Sequence, residues 1–121
     1  MKSRIFSLAL LVTATGAFSA RSAEAQETVS MSAEVIDIAC YVGMGMTGEG
    51  HRECAQACAD QGLPLGFLGE DGHVYLGLGE GMPAANIKDQ LKAHAHHQVT
   101  VEGAVAERSG ARSIVVSKVS M

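Results

Sequence analysis

Val29, Met31, Ala33 and Val35 alternate with polar residues in the segment 27–42, after which the apolar phase moves to Ile36, Ile38 and Cys40. A period of two predicts a strand, and the phase switch at Val35-Ile36 predicts a bulge or sharp coil in one long strand serving two sides of a small barrel. Residues 43–50 carry four glycines, and their only large apolar side chains are Met44 and Met46, which predicts a loop. Residues 51–61 contain helix formers without Gly or Pro and are followed by Gly62, so they predict a helix of about three turns. On that helix His51, Cys54 and Cys58 fall on one face.

Two short apolar runs follow, 63–68 and 73–78, separated by Gly69-Glu70-Asp71-Gly72. The central Asp-Gly predicts a hairpin. Residues 79–83 form a turn, and Ala84, Ile87, Leu91 and Ala95 then make one helical stripe with Lys88, Asp89 and Lys92 opposite, which predicts a helix over 84–94. In the last segment Val99, Val101, Ala104 and Val105 are separated by Ser109-Gly110 from Ile114, Val115, Val116 and Val119, a second hairpin of β-branched residues. The predicted class is mainly β with two short helices.

Strand, inserted helix, hairpin, helix, hairpin is the element order of a five-stranded Greek-key barrel. In QVTVEGAVAERSGARSIVVSKV, residues 98–119, a V-x-V-x-G-x-V strand runs through a turn into a closing strand. In this the chain resembles the small exported OB-fold proteins of bacterial envelopes. The resemblance implies an OB-like barrel with the cysteine-bearing helix inserted between strands 1 and 2, in a loop that OB-folds use for binding.

The first residues change the picture of where the chain works. Lys2 and Arg4 precede an apolar run over 5–20, and Ala23-Glu24-Ala25 offers small residues where a signal peptidase reads. We expect residues 1–25 to be a signal peptide cut after Ala25 and residues 26–121 to be the OB-like domain, periplasmic or secreted. The run is shorter than the ~20 residues of a membrane span and is interrupted by Thr13, Thr15 and Gly16. Cleavage removes Lys2, Arg4, Arg21 and Glu24, so that 9 basic and 13 acidic residues become 6 and 12, a net charge of about −6. Acidity and the absence of Trp argue against a nucleic-acid partner, which needs a basic surface and stacking platforms.

The candidate chemistry is concentrated in residues 40–62, which hold all 3 cysteines. Thiolate and imidazole suit Cu(I) and Zn(II), and Cys40, His51, Cys54 and Cys58 can be read as metal ligands. Met44 and Met46 add optional thioether donors, which favour copper, with zinc the alternative. Spacing limits the set: residues seven apart on a helix are about 10.5 Å apart along its axis, so Cys54 and Cys58 share an ion more easily than His51 and Cys58 do. A second reading is a structural disulfide from Cys40 to Cys54 or Cys58 in a non-enzymatic binding module, with one thiol left over. A third is thiol redox chemistry at Cys54, near a helix start and an imidazole, although Cys-x3-Cys is not the thioredoxin spacing. Haem attachment lacks its Cys-x2-Cys-His motif. The HAHH tract at His94, His96 and His97 reads as surface residues complementing a helix dipole. The expected protein binds a metal ion and is not an enzyme.

Overall fold

A computed structural model describes residues 26–121; the expected signal peptide, 1–25, lies outside the described residues. Five strands close into one barrel: β1 (Glu27–Asp37), β2 (Leu65–Gly69), β3 (Val74–Leu78), β4 (Gln98–Arg108) and β5 (Ala111–Ser120). Around the barrel the order is β1-β2-β3-β5-β4. All neighbours are antiparallel except β3 and β5, which run parallel from the pair Leu76 and Ser113 to the pair Leu78 and Val115. This is the expected OB-like barrel, with its cysteine-bearing helix between the first two strands. Among the described residues three short helices accompany it where the sequence pattern predicted two: α1 (Ile38–Met44), α2 (Arg52–Asp60) and α3 (Lys88–Ala93). Among the described residues no helix is long and apolar enough to cross a membrane.

Period-two alternation places one residue in two inside the barrel. Ala33 and Val35, Leu65 and Phe67, Val99 and Val101, and Ile114 and Val116 form the core with Tyr75, and Leu91 from α3 and Ala59 from α2 join it. β1 is shared: its first two-thirds pair with β4 and its end pairs with β2, so that Ala33 and Glu34 have partners on both sides. Neither pairing has a register shift, and the irregularity in the barrel lies at Glu102/Gly103, between β4 and β5. The apolar phase switch at Val35-Ile36 therefore has a different cause. The end of β1 is covered on both faces, and Val35, Ile36 and Asp37 are all buried.

The strand also ends earlier than its apolar pattern suggests. The Asp37 carboxylate accepts the backbone N–H groups of Ala39 (2.9 Å) and Cys40 (3.3 Å), an N-cap that turns the chain into α1. Gly45, at φ 69°, closes the helix in the left-handed region where a side chain would be strained. Residues 38–42, expected in the first strand, and the start of the expected 43–50 loop thus form a helix, and Cys40 sits in its first turn. The third helix is shorter than its stripe, because Asn86 accepts the Lys88 N–H (2.8 Å) and delays the start; Leu91 and Ala95 are buried as expected, while Ala84 is exposed.

The β2–β3 turn is built around Asp71. Its carboxylate accepts the Tyr75 hydroxyl (2.7 Å) and the His73 N–H (3.0 Å), and the Tyr75 bond above all holds its pKa down at about 2, against 3.8 ordinarily. A folded-state value below the unfolded one adds stability that is complete above about pH 4 and disappears as pH falls through about 2. Asp71→Asn is expected to flatten the acid limb of the stability profile between those values, measured by urea denaturation at stepped pH. An unchanged limb would mean that Asp71 is not the group responsible.

Candidate metal centre

α1, the 3-10 turn Glu49–His51 and α2 together bring the sulfur and imidazole groups to one end of β1. Among the described residues two sets of donors result. The Cys40 thiol, a ring nitrogen of His51 and the Cys54 thiol all lie within 4.8 Å of one another, and so do a carboxylate oxygen of Asp37, the Cys40 thiol and the Cys58 thiol. Donors bound tetrahedrally at ~2.3 Å stand about 3.8 Å apart, so either triad closes on an ion with small side-chain movements. Cys40 belongs to both triads, whereas Cys54 and Cys58 never fall in the same one. Helical spacing puts Cys58 one turn beyond Cys54, on the Asp37 side of Cys40. All three cysteines are free thiols, so the alternative pairing of Cys40 with Cys54 or Cys58 in a disulfide is not formed.

Burial grades the site from inside to outside. Asp37 is 1% exposed and Cys40 7%, Cys58 is half-buried and Cys54 is exposed. Two polar atoms within it have no hydrogen-bond partner, Asp37 Oδ2 and His51 Nε2, and both are shielded from solvent. A buried polar atom without a partner costs roughly 1–3 kcal/mol, a deficit that a bound cation removes. Burial pushes the Asp37 pKa up, but the Cys58 and Cys40 thiols and two backbone N–H groups outweigh it and hold the carboxyl below its usual range. The same carboxylate, followed by burial, raises the Cys40 thiol, and it is the first cause that pushes Cys58 up to about 12. Without an ion, both thiols are protonated at neutral pH beside an ionised carboxylate. An ion must displace those protons, so uptake weakens as pH falls.

A shell of histidines backs the site. His96 is buried, not on the surface as the HAHH tract suggested, because its N–H bonds to the Val35 carbonyl (2.7 Å) and Val35 N–H bonds to the His97 carbonyl (3.1 Å). These two bonds stitch the tract to β1, with His96 at φ 55°. His96 Nδ1 donates to Glu34 (2.8 Å), whose same oxygen also accepts the Gly48 N–H (2.9 Å), and the His96 ring meets His51 edge to face at 5.3 Å. Glu34 and His96 thereby fix both the loop before His51 and the ring of His51 itself. Arg52 ties α2 to the end of α3 by donating to the carbonyls of Ala93 (2.9 Å) and Ala95 (3.2 Å), and it also contacts His97 Nε2.

The geometry therefore unites Cys40, His51 and Cys54 and sets Cys58 with Cys40 and Asp37. Met44, the last residue of α1, and Met46, in the loop that follows it, are exposed, and that loop is joined to the site by the Met46 N–H bond to the Cys40 carbonyl (3.4 Å). Asp37, Glu34, His96 and Arg52 were not found from the sequence. Asp37 had a usable signal, an Asp at the break in an apolar pattern, which is a helix-cap signature. The other three depend on partners 14 to 62 positions away, and no local pattern announces them. Comparisons with protein-family models, with curated proteins and with solved structures found no match to this chain.

Proposed function

We propose that the protein binds a soft metal ion, copper being the ion its donors favour, and that it handles that ion in the bacterial envelope after export. The observation that carries this reading is the triad of Cys40, His51 and Cys54, mutually within 4.8 Å, with His51 Nε2 buried and lacking a partner. Two thiolates and an imidazole are a donor set for Cu(I) or Zn(II), and the thioethers of Met44 at the end of α1 and Met46 just beyond it tilt the choice toward Cu(I). The exposed Cys54 gives the ion a way in and out, as a carrier or sensor requires. Export is supported by the charged, apolar and small-residue pattern of residues 1–25.

Titration of the reduced, purified chain under anaerobic conditions against a chromophoric Cu(I) chelator is expected to show at least one Cu(I) bound with submicromolar affinity. Cys54→Ser/Cys58→Ser is expected to weaken it by on the order of a hundredfold or more, since even outer-sphere partners of metal ligands are each worth 10–100-fold. Undiminished binding by that variant would remove these thiols from the site. The same titration with Zn(II) ranks the competing ion.

A further inference from the structure

Resting on the metal-binding reading, we infer that Cys40 is a bridging thiolate that holds two d10 ions side by side, one with His51 and Cys54 and the other with Asp37 and Cys58. One ion cannot take all five donors where they stand, because Cys54 and Cys58 share no donor group while each shares one with Cys40. An ion placed in the outer triad engages neither the buried Asp37 carboxylate nor Cys58. An ion placed in the inner triad likewise leaves His51 Nε2 unpartnered. Only occupation of both positions brings Asp37, Cys58, His51 and Cys54 all onto an ion.

For Zn(II), the divalent alternative, charge points the same way. Three thiolates and the Asp37 carboxylate carry four negative charges, and His51 bound as neutral imidazole adds none. A single divalent ion would leave two of those charges uncompensated around the buried Asp37 and Cys40, or two thiols still protonated. Two divalent d10 ions balance the set, with the three thiol protons released to solvent as the ions enter. A thiolate has lone pairs enough to bind two ions at once. Cys40 is the one thiol of the three placed to do so, in the first turn of a helix whose N-cap is itself one of the donors. The two positions differ in character: the inner one has a carboxylate and is enclosed, the outer one has an imidazole and opens through Cys54.

Zn(II), which is redox-silent and accepts sulfur, nitrogen and oxygen donors, is the probe. The full chain, reduced and free of metal, is loaded with Zn(II) and its ions are counted by native mass spectrometry. The wild-type chain is expected to carry two Zn(II), Asp37→Asn and Cys58→Ser one each, and His51→Ala and Cys54→Ser one each. Circular dichroism of every variant separates ligand loss from unfolding, and a variant that fails to fold is replaced by its partner in the same triad. A wild-type chain that saturates at one tightly bound Zn(II), or an Asp37→Asn chain that still carries two, overturns the bridged pair and leaves the single-ion reading standing. No Zn(II) and no Cu(I) bound at all would overturn both.

Discussion

Cys40→Ser is expected to abolish tight ion binding, an effect larger than that of any other single ligand substitution. Every other donor belongs to one triad, whereas Cys40 belongs to both, so its removal leaves each with two donors. The expected loss is on the order of a hundredfold or more in affinity, read by competition with a chromophoric chelator. The fold should survive. Cys40 is buried beside Asp37, and a serine hydroxyl can donate to that carboxylate in place of the thiol, so the stability change should be about 1 kcal/mol or less. Cys40→Ala tests the same point without a hydroxyl. Normal affinity in either folded variant would mean that ions enter elsewhere.

The largest expected effect on the barrel itself is that of Phe67→Ala. Phe67 is the largest of the fully buried side chains among the described residues, it pairs across the sheet with Val35 and Tyr75, and its ring edge takes up the space where a Cβ on Gly77 would stand. Truncation leaves a cavity that strands fixed on both sides cannot collapse to fill, and costs about 3–5 kcal/mol. A domain of this size has roughly 5–15 kcal/mol in all, so the variant should lie near the threshold of unfolding, with a melting temperature lower by about 15 °C or more. Urea denaturation should show the midpoint falling with the slope unchanged. Saturating metal should restore part of the loss, about 2.7 kcal/mol at a hundredfold excess over Kd, because only the folded chain assembles the triads. A loss below about 1 kcal/mol would mean that the core repacks around the gap.

Much of the barrel was legible in the sequence because it rests on local signals. Val99 and Val101, and Ile114 and Val116, alternate as inward residues must, and Asp71-Gly72 announces its hairpin. The misreadings occurred where a single side chain overrides a pattern. Ile36, Ile38 and Cys40 look like a continued strand, yet one carboxylate at Asp37 capping two N–H groups starts a helix there and carries Cys40 into the middle of the site. The histidine tract was misplaced for a different reason. His96 looks like the frayed end of a helix, and its burial depends on backbone bonds to Val35 and a carboxylate at Glu34 that only the closed barrel brings near. The candidate site followed the same division. Residue types and helical spacing pointed to Cys40, His51, Cys54 and Cys58, but their separation into two triads about Cys40 comes from where α1 packs against β1, which no spacing encodes.

X-ray absorption at the copper edge of the chain loaded anaerobically with Cu(I) reads the donor atoms themselves. A soft-metal centre at Cys40 predicts a first shell dominated by sulfur with an imidazole nitrogen contribution that disappears in His51→Ala. A shell of nitrogen and oxygen alone, unchanged by substitution of His51 or Cys40, would contradict it.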